Sequence, residues 1–211
     1  MSTKSQFRIP RFDGDRLAFA DAIVEWLAEA GAGYCDESVT QYEHALQSAA
    51  LARDRGCSEA LVIAALLHDV GHLLADEHCG QVDFLDIDLR HEQIGAQWLA
   101  RGFVPEVTEP IRWHVAAKRY LCAVDRTYYA TLSVNSKRSL VVQGGAMSSG
   151  EAAAFIAQPG AEGALELRRI DDLAKRSGVP VPTGETYCAS LVAAMRNPWP
   201  PWPKAATVAR T

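Results

Sequence analysis

The stretch from Glu59 to Leu74, EALVIAALLHDVGHLL, constrains the fold of this chain more than any other. It is an apolar run that three polar side chains, His68, Asp69 and His72, interrupt within five positions. Ser58 suits a helix N-cap, and an acidic residue in the first turn is favoured by the helix dipole. Burying imidazoles beside a carboxylate costs free energy unless strong partners compensate. The pattern therefore indicates either a metal site or hydrogen-bonded core histidines.

If the helix that begins at Glu59 continues through Gly71, His68 and His72 lie on one face of it.

The rest of the chain is also predicted to be largely helical. Strand patterns are few, and residues 133–149 are rich in small and turn-forming residues around a short apolar segment. Helical spacing of apolar residues, mostly closed by glycine or proline, recurs in residues 15–30, 39–55, 91–101, 105–121, 150–155, 165–177 and 185–195. We therefore expect an all-α fold.

A length of 211 residues suffices for one domain with a sizeable core. We expect an N-terminal arm at residues 1–14, a helical domain at residues 15–196 and a Pro/Trp-rich tail at residues 197–211. The tail carries prolines at positions 198, 200, 201 and 203, which exclude a helix there.

Composition excludes several classes of partner. A net charge of -5 gives no basic surface for nucleic acid. No apolar run approaches the roughly 18 to 20 residues that span a membrane, and the polar N-terminus lacks the apolar core of an export signal. Five scattered cysteines without CxxC spacing indicate reduced thiols. We expect a cytoplasmic protein.

Five of the six histidines lie on or beside predicted helices. They are His44, His68, His72, His91 and His114. Because each interval from His44 to His68 and from His91 to His114 is about one helix-loop-helix, a bundle can bring them to one level. Asp69 can bridge two ions, and Asp171 or Asp172 can complete the set. Imidazoles with few carboxylates suit iron, zinc, manganese or cobalt.

The order of these residues resembles a known superfamily. His44, the doublet His68-Asp69 and a distant aspartate resemble the H…HD…D pattern of HD domains, most of which are phosphohydrolases, and the insertion of His91 and His114 resembles their dimetal branch. Further motifs resemble the mixed-valent diiron oxygenases that break carbon–phosphorus bonds in hydroxylated aminophosphonates. The resemblance spans about residues 34–175, and its motifs are QYEHALQSAALA, AALLHDVGHLL, HEQIGAQWL, WHVAAKRYL, SVNSKRSLVVQGGAM and LRRIDDLAK.

The resemblance implies two iron ions, Fe(II) and Fe(III), in a single HD-domain bundle. One ion would be held by His44, His68 and Asp171. The other would be held by His91 and His114, with Asp69 bridging both. Asp171 is preferred to Asp172 because it follows the arginine pair with the spacing of the family.

The resemblance also implies roles around the metals. Tyr34 would cap the second iron until substrate displaces it, and Tyr34 and His72 are the candidate catalytic side chains. The substrate-binding residues would be Glu37, at the amine end, with His72, Lys118, Ser136 and Arg168 at the phosphonate. From the residues alone, Tyr34 packing on the core, Glu37 as a solvated helix-start residue and Lys118 and Arg168 as surface charges remain open.

The implied reaction is oxygenation of a small organophosphonate. Dioxygen would cleave the C–P bond of a 1-hydroxylated aminoethylphosphonate, which yields phosphate and either glycine or glycine betaine. The nitrogen substituents stay open, although aromatic residues such as Tyr42, Phe84, Trp113 and Tyr34 could hold an ammonium by cation–π contact. The alternative is a metal-dependent HD phosphohydrolase, in which metal-bound hydroxide attacks a phosphate ester.

Overall fold

A computed structural model of the chain describes residues 8–33, 39–79 and 88–197, with residues 76–79 described by their backbone alone. The predicted all-α fold is confirmed. Phe103 and Met195 form an isolated antiparallel bridge. The helices are α1 (Arg16–Ala30), α2 (Gln41–Asp54), α3 (Glu59–Leu67), α4 (Val70–Cys79), α5 (His91–Leu99), α6 (Pro105–Val124), α7 (Tyr128–Thr131), α8 (Val134–Val142), α9 (Ser149–Ile156), α10 (Ala161–Leu173) and α11 (Cys188–Ala194), the last preceded by a 3-10 turn at Gly184–Tyr187.

Helix α3 forms the centre of the bundle. Ser58 caps it by accepting a hydrogen bond from the Leu61 amide, at 3.3 Å, and every side chain from Val62 to Leu67 is buried. Helices α2, α6, α10 and α11 all pack against α3, while α5 packs against both α4 and α6. Burial of this aliphatic surface supplies the main driving force for folding. Three of the helices that carry predicted ligands, α2, α6 and α10, therefore pack around α3.

The central apolar run is two helices rather than one. Helix α3 ends at Leu67, His68 and Asp69 form a turn, and α4 begins at Val70. The His72 amide, in the first turn of α4, donates to the Asp69 carbonyl at 3.0 Å. The expectation that His68 and His72 share the face of one continuous helix is therefore wrong. The break allows consecutive residues to point toward different neighbours.

Gly71 permits the close approach of α4 and α5. A Cβ atom at this position would lie 1.9 Å from the carbonyl oxygen of His91. Gly95 faces the same contact, because its Cβ would lie 3.1 Å from the Gly71 nitrogen. The two backbones touch where α5 begins, and this contact sets the position of His91.

Helix α8 lies within residues 133–149, which are rich in small and turn-forming residues. Ser133 caps it by accepting from the Ser136 amide at 3.1 Å. The helix buries Ser136 and leaves Val134 and Val141 exposed, at 67% and 74%. Its buried positions combine the polar Ser136 with the apolar Leu140, and two valines face solvent, so the helix lacks a clear amphipathic pattern.

The C-terminal part of the predicted 165–177 helix is irregular. Helix α10 ends at Leu173, and Ala174 to Arg176 continue without helical structure. The division into an arm at residues 1–14, a domain at residues 15–196 and a tail at residues 197–211 stays a prediction, since residues 1–7 and 198–211 lie outside the described ranges. Among the described helices, none has the length and apolar character needed to cross a membrane.

Candidate metal centre

Four buried histidines form two facing pairs. His44 from α2 and His68 from the α3–α4 turn approach with their Nε2 atoms 3.2 Å apart. His91 at the start of α5 and His114 on α6 approach with their Nε2 atoms 3.1 Å apart. The structure therefore brings together all four predicted imidazole ligands.

The hydrogen bonds behind these rings define which nitrogen faces inward. The Nδ1 atoms of His44, His68 and His114 lie 2.7–2.8 Å from the carbonyl oxygens of Ala174, Ala65 and Ile111, respectively. A carbonyl only accepts, so each Nδ1 carries the hydrogen, and Nε2 is the nitrogen of each ring that is available to bind a metal. Two lone pairs facing each other at about 3 Å repel unless a cation lies between them. This arrangement fits a metal ion, and backbone carbonyls are usual partners of metal-binding histidines.

Asp69 lies between the two histidine pairs. Its Oδ2 is 3.7 Å from His44 Nε2 and 3.4 Å from His68 Nε2. Its Oδ1 is 3.6 Å from His91 Nε2 and 3.8 Å from His114 Nε2. Each carboxylate oxygen thus faces one pair, which is the geometry that a carboxylate bridging two ions needs.

Asp171, rather than Asp172, lies close to the pair formed by His44 and His68. Its Oδ1 lies 3.2 Å from His44 Nε2 and 3.9 Å from His68 Nε2. Asp172 instead accepts hydrogen bonds from Arg168 and Tyr128. The geometry favours Asp171 as a ligand, and that assignment stays a prediction.

The protonation states in this cluster suit metal binding. Burial raises the pKa of Asp69, but the imidazoles of His68, His72 and His91 outweigh it and hold this pKa far below the ordinary value. Burial, reinforced by neighbouring His68, lowers the pKa of His114 to about 3. Burial and the nearby His72 likewise lower the pKa of His91. An ionised carboxylate and neutral imidazoles are the forms that bind metals.

Three cationic side chains line the cavity above the histidines. Lys118 is only 3% exposed, and its Nζ donates to Ser139 Oγ at 2.8 Å. Burial and the charge of Arg168 lower the pKa of Lys118 to about 7. Lys175 brings its Nζ to 3.2 Å from Asp171 Oδ1. The cavity therefore presents positive charge beside a site whose ligands are mostly neutral.

Arg168 is held by a network of its own. Its guanidinium contacts Asp171 Oδ2 at 2.6 Å and also pairs with Asp172. Its Nε donates to the hydroxyl of Tyr128 at 3.1 Å. Burial lowers the pKa of Arg168, but Asp171 and Asp172 outweigh it and keep the group charged. Since a guanidinium has five N–H groups, these contacts leave donors for a further anion.

Most of the site residues predicted from the sequence line one cavity. The ring of His72 stacks on that of His91, with centroids 3.9 Å apart. His68 is fully buried and is not among the lining residues. Tyr34 and Glu37 lie outside the described residues. The predicted residues that line the cavity are His44, Asp69, His72, His91, His114, Lys118, Ser136, Arg168 and Asp171.

Several residues that line the cavity were not predicted from the sequence, among them Gln41, Asp88, Asn135, Ser139 and Lys175. The spacing of four between Asp171 and Lys175 in LRRIDDLAK was the available signal for the lysine. Ser139 lies three residues beyond Ser136, but α8 itself was not predicted.

The proposed aromatic surroundings of the substrate amine do not form as expected. The Tyr42 hydroxyl lies against Gly184, and Trp113 packs on Phe155 with ring centroids 6.4 Å apart. Phe84 lies outside the described residues. Within the described ranges, the cavity lining contains no Phe, Tyr or Trp. Cation–π contact with a substrate ammonium therefore has no support among those residues.

The helical bundle with its H…HD…D set defines an HD-domain protein, and residues 41–137 match the HD domain family. Hydroxymethylphosphonate dioxygenase of Gimesia maris is 48% identical over 174 residues, which cover 82% of this chain and 85% of that protein. The [1-hydroxy-2-(trimethylamino)ethyl]phosphonate dioxygenase (glycine-betaine-forming) of Leisingera caerulea is 39% identical over 149 residues, which cover 71% and 76%. The chain belongs to the HD-domain phosphonate dioxygenases and is an oxygenase, which confirms the family predicted from the sequence.

Proposed function

We propose that the chain is a mixed-valent diiron oxygenase that cleaves the C–P bond of a 1-hydroxylated aminoethylphosphonate. The carbon that bears the hydroxyl and the phosphorus becomes a carboxylic acid, and the phosphorus leaves as phosphate. One dioxygen balances the reaction, because R–CH(OH)–PO₃H₂ and O₂ together contain the atoms of R–COOH and H₃PO₄. The observation that carries the proposal is the position of Asp69 between two facing imidazole pairs, below a cavity lined by cations.

The proposed ligands divide between two irons. His44, His68 and Asp171 would hold the first, His91 and His114 the second, and Asp69 would bridge them. When bound, the irons supply the activation of dioxygen and the one-electron chemistry that protein side chains lack. Tyr34, by family resemblance, would occupy the second iron before substrate binds.

The chain's own residues bind and orient the phosphonate. Lys118 and Lys175 would neutralise its oxygens, and Ser136 would donate a hydrogen bond from the buried face of α8. Arg168 would add one of its remaining N–H groups while keeping Asp171 in place. Because these groups are fixed before substrate arrives and are shielded from water, their charges act more strongly than at the surface. His72, stacked on His91, would contact the substrate from the opposite side.

The end of the substrate away from phosphorus is the open specificity question. By family resemblance Glu37 would contact an amine, and Asp88 adds a carboxylate to the cavity lining. Both favour a primary ammonium, which gives glycine as the product. The trimethylated substrate, which would give glycine betaine, lacks an aromatic cage among the described residues.

Hydroxymethylphosphonate is a second candidate substrate. The observation in its favour is the 48% identity to a dioxygenase named for it. The same bond cleavage applied to this one-carbon compound would yield formate and phosphate.

The test is turnover by the iron-loaded full chain with and without oxygen. Hydroxymethylphosphonate, 1-hydroxy-2-aminoethylphosphonate and its trimethylated analogue are each supplied, and phosphate is measured. We expect oxygen-dependent phosphate release, and the ratio of kcat/KM values identifies the substrate. Phosphate released equally under argon, or released from a phosphate ester alone, would favour the phosphohydrolase and contradict the proposal.

A further inference from the structure

Two side chains of α2, one helical turn apart, form hydrogen bonds to the backbone of the irregular segment Ala174–Arg176. His44 donates from Nδ1 to the carbonyl of Ala174 at 2.7 Å. Gln47 donates from Nε2 to the carbonyl of Arg176 at 2.8 Å, and the Arg176 amide donates back to Gln47 Oε1 at 3.1 Å. The amide of Gln47 thus makes both backbone hydrogen bonds that a neighbouring strand would make.

This contact is long-range and largely shielded from water. Gln47 is 7% exposed and lies 129 residues from Arg176 in the sequence. Helix α10 ends at Leu173, and the Ala174 amide still donates to the Ile170 carbonyl at 3.0 Å. Beyond Ala174, the side chain of Gln47 holds the backbone at Arg176.

Lys175 lies between Ala174 and Arg176, the two residues whose backbones are hydrogen-bonded to α2. Its Nζ is 3.2 Å from Asp171 Oδ1, the oxygen that faces His44. A lysine has a flexible four-carbon stem, so a defined position of its ammonium depends on a defined backbone. The same backbone places the Ala174 carbonyl behind His44, where it sets the direction of the Nε2 lone pair.

We infer that Gln47 is a positioning residue for both the first metal and the phosphonate. It holds Lys175 at the cavity wall and holds the Ala174 carbonyl against His44, although it contacts neither metal nor substrate. The part that concerns phosphonate rests on the proposed function. The part that concerns the metal stands independently of which substrate is turned over.

The test replaces Gln47 by methionine, which keeps the length of the side chain but removes both hydrogen bonds. Gln93→Met is the matched control, because Gln93 Nε2 donates to the Arg112 carbonyl at 3.2 Å and links α5 to α6 beside the other histidine pair. Each metal-free full-length variant is titrated with Co²⁺ and followed by absorption. KM and kcat are then measured on the iron-loaded protein.

For Gln47→Met, we expect one of the two Co²⁺ equivalents to bind roughly 10- to 100-fold more weakly, as when other outer partners of metal ligands are lost. KM for the phosphonate should rise more than kcat falls, because binding is what Lys175 provides. Gln93→Met should leave the affinity of that same equivalent unchanged. A methionine variant that melts earlier but binds both equivalents and substrate normally would overturn the inference.

Gln47→Glu is the second test variant, for use if Gln47→Met does not fold. The glutamate keeps an acceptor for the Arg176 amide and loses the donor, so we expect a smaller weakening of the same Co²⁺ equivalent. Wild-type Co²⁺ affinity at both equivalents in this variant would overturn the inference. Absence of turnover by the wild type with any phosphonate would sink the proposed function while leaving the Co²⁺ measurement decisive for Gln47.

Discussion

Replacing Gly71 by alanine should displace His91 and remove one of the two metals. The added Cβ would lie 1.9 Å from the His91 carbonyl oxygen and 2.6 Å from its carbonyl carbon. An ordinary C···O contact is about 3.4 Å, so the two backbones must separate by about 1.5 Å. Both partners are backbone, and neither can turn aside as a side chain does. Since metal–ligand distances tolerate only about 0.2 Å, His91 leaves the coordination sphere.

The consequence for stability is smaller than the consequence for the site. Inserting a methyl group into a well-packed contact typically costs about 1–3 kcal/mol, which a domain of this size survives. We expect the folded Gly71→Ala protein to bind one equivalent of Co²⁺ tightly instead of two, with His44 and His68 still occupied. The assay is metal titration by absorption, alongside thermal melting by circular dichroism.

Two other glycines provide a graded control. A Cβ at Gly95 would lie 3.1 Å from the Gly71 nitrogen, so a shift of a few tenths of an ångström accommodates it, and a Cβ at Gly150 meets no atom within 4 Å. The second equivalent should therefore weaken in the order Gly150→Ala, Gly95→Ala, Gly71→Ala. Two tightly bound equivalents in folded Gly71→Ala would refute the reasoning.

Further predictions concern the metals and the cavity cations. Removing metal with a chelator should lower the melting temperature by roughly 5–10 °C, since metal at about a hundredfold excess over its Kd contributes about 2.7 kcal/mol; an unchanged melting curve would contradict the assigned ligands. His68→Ala and Asp69→Ala should lose metal by elemental analysis, whereas Lys118→Ala should retain it and raise KM. Equal loss of metal in all three would contradict the separate roles. Because the pKa of Lys118 is lowered to about 7, its charge is present below that pH and lost above it. The value of kcat/KM for a phosphonate should therefore fall as the pH rises above about 7. In Lys118→Arg the side chain stays charged, so this fall in kcat/KM should be smaller. An identical pH profile in both proteins would rule out this role for Lys118.

The gathering of the histidines could be predicted from the sequence because it depends on helix spacing. His44, His91 and His114 each lie on a helix whose apolar face is evident, and antiparallel packing brings such helices to one level. The break after Leu67 could not be predicted in the same way. It follows from contacts made by His68 and Asp69, not from local propensity.

Two other features depended on long-range contacts. Helix α8 buries Ser136 together with Leu140 and exposes Val134 and Val141, so it lacks a clear amphipathic pattern. Helix α10 ends at Leu173 although LELRRIDDLAKRS continues a helical pattern, and the segment that follows is held by Gln47, which lies far away in the sequence. Tyr34 and Glu37 were predicted from family resemblance alone and stay predictions.

The position of Asp69 in a two-residue turn has a consequence for how the protein is assembled with its metals. One carboxylate faces both histidine pairs. An ion that binds at either pair fixes the Asp69 side chain, so the ion at the other pair no longer bears that loss of conformational entropy. Either pair can hold an ion alone, but the second ion then binds where the first has already positioned the bridging carboxylate. Iron should therefore load in two steps, and the second step should be stronger than it would be without the first.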